Sequence, residues 1–158
     1  MNEAVSSLAV WKEDIVRISE SVSEGTWKTP AEAGKWSIGE VVGHILYWDL
    51  YLIQEGLPSI LNTQSISFPD HDEYNAKSIM YIEGKSKTEI VNEALRQRDA
   101  LLSDLSGLSE EKWENPISIN GVTADEDSMP YTLKSLMLEF AEHDRHHVNQ
   151  LLKIGAGL

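Results

Sequence analysis

Apolar residues recur along four stretches of the chain at the three-and-four spacing that places them on one face of a helix. The predicted helices cover about residues 3–23, 37–53, 87–105 and 130–154. The second stretch is apolar on nearly every side, which indicates a central helix, and Gly56 and Pro58 predict where it ends. No stretch alternates between apolar and polar residues for long enough to predict a sheet. The pattern therefore predicts an all-α fold, a four-helix bundle.

The predicted helix starts carry capping signals. Ser37 with Glu40 and Ser86 with Glu89 form two capping boxes, in which each side chain satisfies a free backbone N–H of the first turn. Pro130 suits the first position of the fourth helix, because a proline there loses no helical hydrogen bond.

Two connections are much longer than a bundle of adjacent helices needs. About 30 residues separate the second predicted helix from the third, and about 25 separate the third from the fourth, whereas 2–8 usually suffice. The first connection is long enough to return along the bundle and start the third helix parallel to the second. Each connection contains a short predicted helical turn, over about residues 72–80 and 109–113. Long connections of this kind more often build a site than merely join helices.

Composition limits the classes of function. The chain has 158 residues, which predicts a single domain over residues 1–158. Its 26 acidic and 13 basic residues give a net charge of −13, which disfavours nucleic acid as a partner. No apolar run approaches the ~20 residues that span a membrane, and the N-terminus shows no signal-peptide pattern, so a cytoplasmic location is predicted. Without cysteine, the chain has no disulfide, thiolate metal site or cysteine nucleophile.

The histidines of the second and fourth helices are the main candidates for chemistry. His143 and His147 stand four residues apart on the inward side of one helix, a spacing that a single metal ion can bridge. His44 lies in the middle of the apolar second helix. Three inward imidazoles are either satisfied separately in the core or share one metal ion, and the spacing leaves both interpretations open. His146 points about 110° from the core side and is expected to be auxiliary or exposed, and His71 is expected in a solvated loop.

Other metal and cofactor classes lack their motifs. Carboxylate di-iron bundles need Glu-x-x-His pairs, and no histidine here has a glutamate three residues before it. Haem attachment through C-x-x-C-H needs cysteine, and no His-Glu-x-x-His motif is present.

Two ordered segments carry a family resemblance. The second helix opens with Trp36-Ser37-x-Gly39-Glu40-Val41-Val42-Gly43-His44, and the fourth contains Glu142-His143-Asp144-Arg145-His146-His147-x-x-Gln150. Between them lie Asp72-Glu73-Tyr74-Asn75, the Arg98 region and the turn Leu105-Ser106-Gly107-Leu108-Ser109. In this order, essentially from end to end, the chain resembles the DinB/YfiT-like superfamily of bacterial four-helix proteins.

The resemblance implies a fold, a metal site and a class of chemistry. It implies an up-down-down-up bundle and a divalent ion, zinc or nickel, bound by His44, His143 and His147. It also implies an enzyme with a small-molecule substrate. The first expectation is a transferase that conjugates a low-molecular-weight thiol, such as bacillithiol, to electrophiles in detoxification or stress response.

Two alternatives stay open. One is a hydrolase that uses metal-bound water, with Glu139 or Asp144 as general base. The other is a non-catalytic, dimeric metal-binding stress protein. Since low-molecular-weight thiols of this kind are anionic, the transferase requires Arg98, Arg145 or a lysine to face the cleft.

A homodimer is also expected, both from the resemblance and from the second helix. That helix carries two apolar rows, Val41-Ile45-Trp48-Leu52 and Val42-Leu46-Ile53, more than its neighbours in one bundle are expected to cover. The alternative is that the first long connection covers the second row by itself.

Overall fold

A computed structural model describes residues 2–156, with side chains up to residue 153. Eight α-helices and two short strands make up this part of the chain. The helices are α1 (Glu3–Ser21), α2 (Glu24–Lys28), α3 (Ile38–Tyr51), α4 (Leu57–Thr63), α5 (His71–Ile82), α6 (Lys87–Ser106), α7 (Glu110–Glu114) and α8 (Leu133–Ala156). The strands are β1 (Ser65–Ile66) and β2 (Ser118–Ile119). The all-α prediction is confirmed, with α1, α3, α6 and α8 as the long helices of the bundle. The predicted core position Ile154 lies outside the side chains described.

Both capping boxes form as predicted. The backbone N–H of Glu40 donates to Ser37 Oγ at 3.1 Å, and the N–H of Ser37 donates to Glu40 Oε1 at 2.9 Å. Ser86 and Glu89 repeat the arrangement at the start of α6. Local sequence therefore sets where these two helices begin.

The end predicted for the second helix is wrong. The chain does not leave the helix at Gly56 but passes through a π-helical turn, Leu52–Gly56, into α4. Pro58 lies in the first turn of α4, directly after this π-helical turn. The helix ends instead at Gln64, which adopts a left-handed conformation with φ of 57°.

The start predicted for the fourth helix is also wrong. Pro130 lies in an antiparallel bridge with Ala124, and α8 begins at Leu133. The cap is a reciprocal pair: the N–H of Ser135 donates to Thr132 Oγ1 at 3.1 Å, and the N–H of Thr132 donates to Ser135 Oγ at 2.9 Å. Because this pair satisfies the free N–H groups, the helix does not need Pro130 at its first position.

Two hydrophobic clusters divide the bundle along its length. α1 and α8 run from the first cluster to the second, whereas α3 and α6 run from the second to the first. These directions support the predicted up-down-down-up order, with α3 parallel to α6. Each long helix contributes residues to both clusters. The first cluster includes Leu8 of α1, Trp48 of α3, Leu101 of α6 and Leu136 of α8. The second includes Ile15 of α1, Ile45 of α3, Ile90 of α6 and Val148 of α8.

The two long connections meet in a parallel pair of strands. Ser65 pairs with Ser118 and Ile66 with Ile119. The N–H of Phe68 then donates to Asn120 Oδ1 at 2.8 Å, which continues the link beyond the strands. The sequence gives no sign of these strands because two residues are too few to show an alternation.

Helix α5, in the first connection, covers the side of α3 that the bundle leaves free. A Cβ at Gly43 would lie 2.7 Å from Ile82 Cγ2, so only a glycine allows this approach of α5 to α3. Val42 and Leu46, in the second apolar row, are fully buried within the chain. The surplus apolar surface on which the homodimer argument rested is therefore absent at these residues, and the homodimer stays a prediction.

Candidate metal centre

Three imidazoles converge between α3 and α8. The Nε2 atoms of His44 and His143 are 3.5 Å apart, and those of His143 and His147 are 3.1 Å apart. One ligand atom from each of the three histidines can be chosen so that all lie within 4.8 Å of one another. His44 comes from the middle of α3, and the other two lie one turn apart on α8. The structure thus brings together the three residues that the sequence singled out.

Two of the nitrogen spacings, 3.1 and 3.5 Å, match those around one divalent ion. A tetrahedral ion with ligand bonds of about 2.0–2.1 Å holds its nitrogen ligands roughly 3.3 Å apart. The Nδ1 of His147 lies 2.9 Å from Gln150 Oε1, and since that oxygen only accepts, Nδ1 carries the proton. The Nε2 lone pair of His147 therefore points at the other two rings. Nitrogen lone pairs that converge in this way suit a cation such as zinc or nickel.

Burial keeps the imidazoles in the form that binds metals. Burial, with smaller contributions from the neighbouring histidines, lowers the pKa of His44 to about 3 and that of His143 to about 4. Burial also lowers the pKa of His147. The three rings are consequently neutral near pH 7, so an ion can bind without first displacing protons from them.

A cavity of about 320 Å³ opens beside His44 and His143. Most of its wall is apolar, and much of it is aromatic. The apolar lining residues are Trp48, Phe68, Ile119, Leu136 and Phe140. The polar ones besides the two histidines are His71 and Glu139. A site with open coordination positions thus faces a space large enough for a small organic molecule.

His71 is not in the solvated loop predicted for it. It is the first residue of α5 and lines the cavity, with its ring centroid 5.6 Å from that of Trp48. It does not belong to the three-histidine group. The sequence signal that was missed is the spacing of Asp70 and Glu73. Asp70 Oδ1 accepts the N–H of Glu73 at 3.0 Å, and this cap makes His71, rather than Asp72, the first residue of the helix.

Asp144 does not face the cavity and cannot be the general base considered for it. Its carboxylate is buried, with Oδ2 2.8 Å from Arg98 Nη1. The same guanidinium binds Asp49 through two hydrogen bonds of 2.8 and 3.0 Å and donates to the carbonyl of Leu8. Burial raises the pKa of Asp144 to about 6, although Arg98 opposes this.

The same network removes Arg98 as a partner for an anionic thiol, because its side chain is only 2% exposed and already binds two carboxylates. Arg145 is exposed, and its Nη1 lies 3.5 Å from Oδ2 of Asp14 in α1. Its guanidinium does not line the cavity. Sequence reasoning did not identify Asp49 as part of this network. Its signal was an acidic residue within the otherwise apolar and aromatic run of residues 45–53.

Glu139 is the remaining candidate for acid–base chemistry. It lines the cavity one turn before His143 on α8. Partial burial raises its pKa, and the charges of Glu142 and Asp125 raise it further. A carboxyl group with a raised pKa is a better proton acceptor than an ordinary one.

His146 lies outside the three-histidine group, as its helical phase predicts. Its side chain is exposed, and its ring centroid is 5.5 Å from that of His147. The fully buried side of α8 at this level is formed by Asp144 and Val148, with His143 and His147 half-buried beside them. The core side of the helix therefore includes a charged residue, which a hydrophobic pattern does not reveal.

A family model described as the DinB superfamily matches residues 10–151. The chain belongs to the DinB superfamily. This confirms the resemblance seen in the motifs of the second and fourth helices. The assignment of residues 1–158 to a single domain stays a prediction.

Two solved structures from Bacillus subtilis share the fold. YfiT, described as a probable metal-dependent hydrolase with an unusual four-helix bundle topology, has a TM-score of 0.71 at 14% identity, covering 98% of this chain and 85% of YfiT. A DinB-like protein, YjoA, has a TM-score of 0.63 at 17% identity, covering 99% of this chain and 92% of YjoA. At these identities the likeness establishes the shared fold.

Among proteins with curated descriptions, none matches this sequence. Within residues 2–156, no helix combines the length and apolar character that crossing a membrane requires.

Proposed function

We propose that this DinB-superfamily protein binds one divalent ion through His44, His143 and His147 and hydrolyses a small, uncharged substrate. The observation that carries the proposal is the convergence of three imidazole nitrogens at the wall of an aromatic cavity. Zinc and nickel are the ions expected for nitrogen ligands. The protein is expected to act in the cytoplasm, as the sequence predicts.

When bound, the ion would supply Lewis-acid activation at coordination positions that three protein ligands leave open. The residues of the chain would do the rest. Trp48, Phe68 and Phe140 would hold an apolar substrate against His44 and His143 and exclude bulk water. The Glu139 carboxylate would accept the proton of the attacking nucleophile and return it to the leaving group.

Two considerations favour hydrolysis over the thiol transfer expected first. No lysine or arginine lines the cavity in the described part of the chain, so apart from the proposed ion itself no positive charge there offsets that of an anionic thiol such as bacillithiol. The structural relative YfiT is described as a probable metal-dependent hydrolase. Thiol transfer stays the alternative enzyme class, and a non-catalytic metal-binding stress protein stays the third interpretation.

The test uses purified protein loaded with zinc or nickel and a panel of uncharged aryl esters, lactones and anilides. Hydrolysis is expected without added thiol and is expected to fall to background in the metal-free protein. Glu139→Gln should lower turnover while metal content stays stoichiometric. Conversion of electrophiles only when a thiol is present would establish the transferase instead.

Metal content is measured separately. Alanine at His44, His143 or His147 should each sharply lower the bound metal, whereas His71→Ala and His146→Ala should not. Stoichiometric metal in the variant with all three alanines would overturn the assignment of the ligands.

A further inference from the structure

Two polar atoms near the three-histidine centre are buried without a hydrogen-bond partner among the described residues. They are Nδ1 of His44 and Oδ1 of Asn75. Leaving such a group unpaired costs about 1–3 kcal/mol. In its neutral form the Nδ1 of His44 can be a donor, and the amide oxygen of Asn75 can only accept, so each atom is what the other lacks.

The packing of α5 on α3 brings Asn75 close to His44. Tyr74, the residue before Asn75, donates its hydroxyl to the carbonyl of Tyr47 on α3 at 3.0 Å. Two turns further along α5, Ile82 rests against Gly43, the residue before His44. Asn75 lies on the same side of α5 as Ser78 and Ile82, which are both buried. Burial is the main influence on the pKa of His44, which it lowers, and the Asn75 side chain acts in the opposite direction.

His147 shows what such a partner achieves. Its Nδ1 is bound by Gln150, which leaves Nε2 free to face the other rings. Partners of this kind fix the tautomer and the orientation of a histidine that binds a metal. His44 needs the same constraint, because its ring also presents Nε2 to His143.

We propose that Asn75 is a positioning residue for His44: its Oδ1 accepts the Nδ1–H of the imidazole and so holds the Nε2 lone pair toward the metal position. The effect on metal affinity rests on the proposed function, whereas the effect on the tautomer does not. The first long connection thereby contributes a residue to the centre, although all three ligands come from the bundle.

Two measurements test this proposal. In metal-free protein at neutral pH, ¹⁵N NMR of labelled histidines reports which ring nitrogen is protonated, with the His44 signals assigned by their loss in His44→Ala. Competition with a chelator gives the affinity for zinc. The variants are Asn75→Ala, which removes the acceptor, and Asn75→Asp, which retains one. Ser78→Ala removes a buried hydroxyl on the same side of α5 and is the control for altered packing.

Asn75→Ala is expected to convert His44 from the Nδ1–H form to a mixture of tautomers and to lower zinc affinity about 10- to 100-fold. Asn75→Asp should keep the Nδ1–H form and recover most of the affinity, and Ser78→Ala should change neither property. The proposal is overturned if Asn75→Ala leaves the tautomer unchanged, or if Ser78→Ala weakens zinc binding equally. If the unmodified protein binds no zinc, the proposed function fails, and the tautomer measurement alone decides the role of Asn75.

Discussion

Nη1 of Arg98 lies 2.8 Å from Oδ2 of Asp144, the residue that directly follows His143 on α8. The same guanidinium holds Asp49 on α3, five residues after His44, and the carbonyl of Leu8 on α1. One buried side chain of α6 therefore connects all the other long helices, including both that carry candidate ligands.

Removal of Arg98 should destabilise the protein strongly. Arg98→Met leaves two buried carboxylates without their shared cation, which is expected to lower the free energy of unfolding by about 3–5 kcal/mol. Arg96→Met, at an exposed position two residues earlier on α6, is the matched control and should change it by less than about 0.5 kcal/mol. Urea denaturation of both variants measures the difference. Equal, small effects would show that the network contributes little to stability.

The buried histidines should make the metal-free protein less stable as the pH falls below neutrality, against an opposite contribution from Asp144, whose pKa folding raises. Folding lowers the pKa of His44 to about 3 and that of His143 to about 4, whereas an unfolded histidine titrates near 6.5. Between these values the unfolded chain binds protons that the folded chain does not. The stability that these neutral rings contribute is thus present above about pH 6.5 and is lost as the pH falls through the folded pKa values.

Urea denaturation from pH 8 to pH 4 checks this expectation. An imidazole that is protonated in the unfolded chain and neutral in the folded protein changes the free energy of unfolding by up to about 1.4 kcal/mol per pH unit. His44→Leu should remove one such contribution and flatten the profile. A profile as steep in His44→Leu as in the unmodified protein would contradict the pKa assigned to His44.

Gln150 is expected to tune the centre without being essential. Gln150→Ala removes the acceptor of His147 Nδ1, but because the residue is exposed, water can replace it. We expect zinc affinity to fall by less than about tenfold, at the lower end of the usual effect. Asn149→Ala, an exposed neighbour on α8, is the control and should leave the affinity unchanged. An equal loss in both variants would point to a general change in the end of the helix.

Filling the cavity should abolish turnover and spare metal binding. Ile119→Trp places a large ring in a space of about 320 Å³, so the substrate is excluded while the three histidines are untouched. Val122→Trp alters the exposed bridge partner of Ile119 and should leave both properties as they were. The measurement compares hydrolysis rates and metal content of the two variants. Full activity in Ile119→Trp would show that the substrate binds outside this cavity.

The homodimer predicted from the sequence needs a direct measurement. Light scattering over a dilution series in the micromolar range should give twice the chain mass if the prediction holds. A mass that stays at 17.7 kDa would support the alternative in which α5 alone covers the second apolar row of α3.

Helical periodicity was enough to single out the inward histidines of α8, because it fixes the direction of a side chain within one helix, whereas their role as ligands was implied by the family resemblance. It placed His143 and His147 on one side of α8 and His146 away from them, as the structure shows. It could not reveal that Asp144 is buried, because the burial of a carboxylate depends on Arg98, 46 residues away in the sequence.

The ends of the helices were predicted less well for a related reason. Pro58 and Pro130 are each compatible with more than one local structure, and neighbours outside the local sequence decide between them. Pro58 stands in the first turn of α4, and Pro130 pairs with Ala124. The position of His71 in the cavity likewise depends on the packing of α5 against α3.

The pairing of β1 with β2 has a consequence for how the superfamily can diversify. The second connection supplies Ile119 to the cavity wall but neither a candidate ligand nor a proposed partner of one. Its sequence can therefore change the shape of the space offered to a substrate while the ion-binding residues keep their places. Exchanging residues 115–131 between relatives, Ile119 included, with the backbone pairing of β1 and β2 retained as the anchor, is a direct way to redesign selectivity in this scaffold.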